Sequence, residues 1–284
     1  MCASETAILF GLAPETWGSP FALYANKVAG VSAFNPATAE LMRIGHLMEP
    51  VIASLYEAAH GVGLEDPGRY ALYAAGDPPW LLATPDRLVN DPERGLGVVE
   101  LKNVSEWKAD EWEDEPPLLY QVQVQHQLRV LRAHGATWGA IAALIGGNRF
   151  ISFPIVPHEA MMRVIVERCG AFWDSVARRE PPAVDATEAT ARVLAALYPR
   201  EEPETSVPLP DEATEWHRLR TAAAEEIKRQ QDVKDLMTHR LEAAIGAAAY
   251  GVLPDGTRYA YKTKKEYVVP SYQVKARREL RKMK

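Results

Sequence analysis

Two β-rich stretches separated by a cluster of turn-forming residues constrain this chain more than any other feature. Trp80–Val89 and Gly97–Val104 are dominated by aliphatic and branched residues, and Asn90-Asp91-Pro92-Glu93-Arg94-Gly95 between them collects the residue types that favour turns. The pattern predicts an antiparallel hairpin. Along a strand, residues two apart project to the same face. Glu100 and Lys102 therefore point together, while Leu101 faces the other side and offers its backbone carbonyl. The pairing brings Asp86, the end of Thr84-Pro85-Asp86, across from them.

Two carboxylates at one place repel each other unless a cation lies between them. Oxygen donors with no thiolate or imidazole nearby select a hard ion, Mg²⁺, with Mn²⁺ able to substitute. Asp86, Glu100 and the Leu101 carbonyl are the candidate metal ligands. A divalent ion there would neutralise a phosphodiester and acidify a bound water. Lys102 would orient that water or stabilise charge on the pentacovalent phosphate. Taken alone the pattern is common, because charged residues alternating with Val99 and Leu101 describe any half-buried strand.

The flanking segments add context. Asn35-Pro36 reads as a cap and first turn for a helix from Ala37 to His60, with Leu41, Ile44, Met48, Ile52 and Leu55 as its core-facing stripe. Pro50 is expected to kink it and free a carbonyl one turn earlier. Gly45 and Glu49 share one face of this helix, and the bare Gly45 would let a backbone or DNA approach closely. Pro116-Pro117 opens a second helix, reaching about His134. There Tyr120, Gln123 and Gln127 share a face and Val124, Leu128 and Leu131 form the core stripe. Glutamine donates and accepts without adding charge, which suits holding a water or a phosphate oxygen. Tyr120 and Gln125 are candidate DNA contacts.

Strand signals at Arg69–Ala74, Thr137–Ile145 and Phe150–Val156, with helices between and after them, imply an α/β fold: a mixed central sheet flanked by helices. Residues 1–182 form this core. Residues 183–210 hold a short Ala-rich helix and a Pro-rich acidic linker. Residues 211–284 carry a long helix, a small β unit with a Pro254-Asp255-Gly256 turn, and a basic tail.

Net charge is −6, yet residues 258–284 contain ten Lys/Arg against two Asp/Glu, a balance of +8 that leaves −14 on the rest. A basic end on an acidic body suits a polyanionic partner. No apolar run is long enough to cross a bilayer, and no secretory leader is evident. Cys2 and Cys169 cannot build a disulfide framework or a four-thiolate cluster. The expected setting is a reducing cytoplasm.

Taken in order, Ala3-Ser4-Glu5, the Gly45…Glu49-Pro50 helix, Thr84-Pro85-Asp86, Val99-Glu100-Leu101-Lys102 and Gln123-Val124-Gln125-His126-Gln127-Leu128 resemble the YqaJ-type viral recombinase family. That family includes phage lambda exonuclease and belongs to the PD-(D/E)xK nuclease superfamily. The resemblance covers residues 3 to 182 and implies a restriction-endonuclease-like core. It also implies roles: Glu49 supports the metal from the helix, Asp86 and Glu100 are ligands with the Leu101 carbonyl, Lys102 is catalytic, and Gln123 lies beside the attacking water. Ser4 matches a serine that contacts the 5′-terminal phosphate, although a serine near a helix start also serves as an N-cap. The arginine that lambda-like enzymes carry before that serine has no counterpart here, so either another cation replaces it or the chain's start is truncated.

The implied activity is digestion of one strand of linear double-stranded DNA, 5′ to 3′, leaving a 3′ overhang for a strand-annealing recombinase. A phage or prophage origin and a ring-shaped homotrimer are further implications. The alternatives are an endonuclease with the same site and a DNA-binding subunit without catalysis. An iron–sulfur nuclease is disfavoured by two cysteines at opposite ends of the core. His46 and His126 lack a Cys or Ser partner and read as structural or surface residues. Trp107 and Trp112, in the acidic stretch Glu106–Glu115, either cover the site or simply pack.

Overall fold

A computed structural model describes every residue except 33–35, 69, 267–277, 279 and 281–284, and every described residue's side chain except those of Pro36 and Ala37. The expected cap at Asn35, the start of the Arg69–Ala74 run and most of the basic tail lie outside the described residues. The elements are α1 (Ala3–Leu9), α2 (Pro20–Ala29), α3 (Pro36–His60), β1 (Leu64–Glu65), β2 (Tyr73–Ala74), β3 (Leu82–Ala83), β4 (Arg87–Asp91), β5 (Gly95–Val104), α4 (Leu118–Leu131), β6 (Trp138–Ile145), β7 (Arg149–Ile155), α5 (Glu159–Arg178), α6 (Glu188–Leu197), α7 (Ala213–Ile245), β8 (Tyr250–Val252) and β9 (Arg258–Ala260). They divide into two units, Met1–Pro199 and Arg200–Lys284.

The first unit is built on a five-stranded mixed sheet in the order β1-β4-β5-β6-β7. β4 and β5 form the expected hairpin, antiparallel from Arg87↔Val99 to Asp91↔Gly95. Its loop is Pro92-Glu93-Arg94, tighter than the six-residue turn the sequence suggested. Asp91 Oδ1 accepts the amides of Glu93 and Arg94, each at 2.9 Å, and Gly95 at φ +76° completes the reversal. β5 then pairs in parallel with β6, and β7 returns antiparallel. A parallel pair needs a crossover, and α4 supplies it. This is the mixed central sheet flanked by helices expected from the sequence.

Alternation along the strands divides the core between the two sheet faces. Val98, Val104, Ile141, Ala143 and Ile145 pack with Val124, Leu128 and Leu131 of α4. On the other face Val99, Leu101, Ala140, Ala142 and Leu144 pack with Ile52, Ala53 and Tyr56 of α3. The two helices thus sandwich β5.

Three expectations needed correction. The run Trp80–Val89 is two strands: β3 pairs with β2, and Thr84-Pro85-Asp86 interrupts before β4. Pro85 has no N–H for a ladder, which explains the break. Only the C-terminal part of the α3 stripe reaches the core. Ile52 is 1% exposed, whereas Leu41 is 69% exposed and Leu47, from the same half, 60%. α3 does run through Pro50 to His60, as the sequence reading had it. The Ala-rich helix α6, set with the linker from sequence, belongs to the first unit. Ala189 and Val193 pack against Phe21, Ala22 and Ala25 of α2, and Ser19 Oγ meets Thr190 Oγ1 at 2.8 Å.

His126, on α4, is fully buried. Its Nε2 lies 3.0 Å from the Leu82 carbonyl, which can only accept, so Nε2 carries the proton and Nδ1 accepts from Thr6 Oγ1 at 2.6 Å. Burial lowers its pKa to about 4. This is a structural histidine, as its lack of a nucleophile partner suggested.

In the second unit α7 is exposed along its length and laced by Glu215–Arg218 and Glu226–Arg229 pairs at i,i+3. β8 and β9 form a two-stranded hairpin. Among the described residues no helix is long and apolar enough to cross a membrane.

Candidate active site

The break before β4 places Asp86 one residue before the Arg87↔Val99 pair, opposite Glu100. Its Oδ2 accepts the Leu101 amide at 2.8 Å. Its other oxygen, Oδ1, has no protein donor among the described residues. Glu100 projects from the opposite side of β5 to Leu101, under α4, and is 1% exposed. Both of its oxygens are held. Oε1 accepts from Lys102 Nζ and from Gln123 Nε2 at 2.6 Å, and Oε2 accepts from Gln127 Nε2 at 2.7 Å. Asp86, Glu100 and Lys102 are therefore brought together as the hairpin predicted.

The electrostatics match a site short of positive charge. Burial and the neighbouring Glu100 push the Asp86 carboxyl up to about 8, with Lys102 opposing. Burial works to lower the Lys102 ammonium, but Glu100 and Asp86 outweigh it and hold it above the usual lysine value. Lys102 therefore stays charged at neutral pH.

Glu49 faces this cluster from α3 across a cleft of about 630 Å³ that Asp86, Pro85, His46, Met42 and Arg43 also line. Its charge contributes to raising Asp86, but its Oε1 meets His46 Nδ1 at 2.9 Å. Among the described residues no three His, Cys, Asp or Glu side chains gather into a metal cage. A metal here would be held by two carboxylates and a carbonyl, with waters completing its shell. That donor set fits Mg²⁺, which usually keeps several waters. The unengaged Asp86 Oδ1 and the two adjoining acids favour a cation at this spot. A Cβ on Gly45 would meet nothing within 4 Å, so the opening beside Glu49 is not filled by the chain itself.

Tyr120 borders the site: Lys102 Nζ is 5.1 Å from its ring centre, and Trp112 and Trp17 flank it at 5.3 and 6.4 Å. Trp112 is buried and also packs on Phe153, so its role is packing, whereas Trp107 is 97% exposed. Gln125 does not join the site. It is 4% exposed, and its amide is used by the Val156 carbonyl at 2.7 Å and the His158 amide at 2.9 Å. Two residues along a helix turn a side chain roughly 200° away, which carries Gln125 off the Gln123 face. It ties α4 to the start of α5 and is not a DNA contact. Ser4 is exposed on α1, whose N-cap is Cys2, and among the described residues no hydrogen bond joins it to Asp86, Glu100 or Lys102. The structure brings Lys27 to that helix, paired with Glu5 at 2.5 Å.

The sequence reading placed Gln127 on the site's face but missed its hold on Glu100, and it missed Trp17 altogether. Gln127 shares a face with Gln123, but its hold on Glu100 needs the helix-to-strand distance. Its Oε1 is buried without a partner. Trp17 comes from a Gly/Pro-rich turn whose position no periodicity reveals.

Comparison with known proteins follows the same line. The family model for the YqaJ-like viral recombinase domain matches residues 1–142, half of the chain. The chain belongs to this family. A curated relative, the uncharacterized protein YqaJ of Bacillus subtilis (strain 168), is 27% identical over 252 residues, covering 88% of this chain and 76% of that protein. Among solved structures, an alkaline exonuclease from Laribacter hongkongensis matches with 20% identity and a TM-score of 0.49, over 70% of this chain and 94% of the other. A phage related exonuclease from Haemophilus somnus 129PT matches with 12% identity and a TM-score of 0.49, over 63% and 94%. The hairpin that carries Asp86, Glu100 and Lys102 lies inside the matched segment.

Proposed function

We propose that this YqaJ-like protein is a Mg²⁺-dependent deoxyribonuclease that digests one strand of linear double-stranded DNA, 5′ to 3′, leaving a 3′ overhang. The observation that carries the reading is Lys102, charged and hydrogen-bonded to Glu100, beside Asp86, which lines an open cleft. Asp86, Glu100 and the Leu101 carbonyl would hold Mg²⁺, which when bound neutralises the phosphodiester and lowers the pKa of a water. Lys102 offers its ammonium to charge that develops on the phosphate oxygens. Gln123 and Gln127 fix the Glu100 carboxylate so that it does not reorganise when substrate arrives. Tyr120, backed by Trp112, walls the Lys102 side of the site.

A strand-annealing recombinase is the partner that would use the overhang, and a homotrimer is the proposed assembly. The test is a time course on end-labelled linear duplex and on closed circular DNA with Mg²⁺. Release of nucleotides from 5′ ends of the linear substrate alone is expected. Cleavage of the circle would assign an internal nuclease instead. Lys102→Ala should lower the rate about 10³-fold, the upper range for losing one transition-state donor. If parent and Lys102→Ala are equally inert, the catalytic reading fails and a DNA-binding subunit remains.

A further inference from the structure

We infer that the β8–β9 hairpin is a second DNA-binding element, one that holds single-stranded DNA. The register pairs Tyr250 with Ala260, Gly251 with Tyr259 and Val252 with Arg258. Alternation puts Gly251 and Tyr259 on one face and Tyr250, Val252, Arg258 and Ala260 on the other. On the first face Gly251 packs against α7, because a Cβ there would lie 2.6 Å from the Ile245 side chain, while Tyr259 is 42% exposed. The second face is open: Tyr250 is 46% and Val252 64% exposed.

On that open face two cations share one ring. Arg258 lies 5.1 Å from the Tyr250 ring centre, and Lys262 lies 4.3 Å from it while donating to the Tyr250 hydroxyl. Among the described residues neither forms an ion pair with a carboxylate, and the same holds for Lys264 and Lys265, which follow directly. Cations held by an aromatic ring, with no acid to neutralise them, remain available to an external anion. An exposed ring set among cations is the combination that binds unpaired nucleic acid: the ring stacks on a base while the cations meet the flanking phosphates. A duplex hides its base faces and would use the cations alone.

Charge complementarity names the partner. Residues 258–284 carry +8 and the remainder −14, so the attraction of a polyanion to this chain comes from the stretch that begins with β9. The inference rests on the deoxyribonuclease reading, which produces a single-stranded overhang for such an element to hold.

The experiment measures binding of the full chain to fluorescein-labelled oligo(dT) and to a labelled duplex of equal length, in EDTA so that nothing is cleaved. Tyr250→Ala should weaken oligo(dT) binding about tenfold, within the range for losing one base–aromatic stack, and Tyr250→Phe should retain it. The Arg258→Gln/Lys262→Gln double variant keeps the ring and should flatten the salt dependence by about 1.4, two single-strand phosphates' worth. Unchanged affinity and slope in all variants would overturn the proposal and leave this face to a protein partner. An equal loss by Tyr250→Ala on both probes would overturn the single-strand assignment. Because cleavage is not measured, a parent that fails to cut DNA yet shows these losses would sink the nuclease reading and leave the hairpin's role standing.

Discussion

The two helices that sandwich β5 treat the site in opposite ways. α4 presses a closed polar face on it: Gln123 is 8% and Gln127 0% exposed, and both are spent on Glu100. α3 buries only its C-terminal part and leaves Glu49 at an open cleft, with Met42, Leu47 and Val51 exposed on the surrounding turns. One side of the site is finished by folding alone. The other is shaped to meet something that arrives.

The largest expected contrast is between the two halves of α3. Ile52→Ala should cost about 2–5 kcal/mol in denaturant unfolding, because it opens a cavity against Val99 and Leu101. Leu47→Ala should stay within about 0.5 kcal/mol, as for an ordinary surface change. A matching loss at Leu47 would mean that its half of α3 is packed in solution.

Next comes pH. The His126 pKa is lowered, so between its folded value of about 4 and the unfolded value of about 6.5 the unfolded chain binds the extra proton. Stability from this group is full above pH 6.5 and is lost as pH falls toward 4, about 3 kcal/mol in all. Urea titrations across that window should show the slope in the parent and lose it in His126→Asn. An unchanged slope in the variant would assign the effect to other groups.

Gln127→Met keeps volume and removes the donor to Glu100. Mn²⁺ affinity, followed by the ion's paramagnetic resonance, should fall about 10- to 100-fold, the usual cost of losing a residue that orients a ligand. A variant with parental Mn²⁺ affinity would make Gln127 a packing residue only. The smallest effect is expected at Glu49→Gln, a few-fold in the same measurement, because Glu49 acts across the cleft and is shared with His46. A loss as large as that of Gln127→Met would place Glu49 on the metal.

Much of α4 and of the hairpin was legible in the sequence, because both rest on short periodic patterns. Alternation set Glu100 and Lys102 on one side of β5, and helical spacing joined Gln123 to Gln127. What stayed hidden depends on distance between elements. Nothing local shows that the α3 stripe runs past the edge of the sheet, so Leu41 and Ile44 looked as well suited to the core as Ile52. Gln125 shares composition with its neighbours and differs only in direction, which matters once α5 is in place to receive it. Pro85 was a visible ladder breaker, and weighing it more heavily would have divided the Trp80–Val89 run correctly.

The connection between β5 and β6 carries a last consequence. The polypeptide that must cross over to make those strands parallel is the same one that carries the two glutamines. That helix, α4, is held to the sheet by Val124, Leu128 and Leu131, so the Glu100 side of the site should melt only with the whole unit. On heating, the ability to capture an ion at Glu100 and the far-ultraviolet signal of the sheet should vanish in a single step.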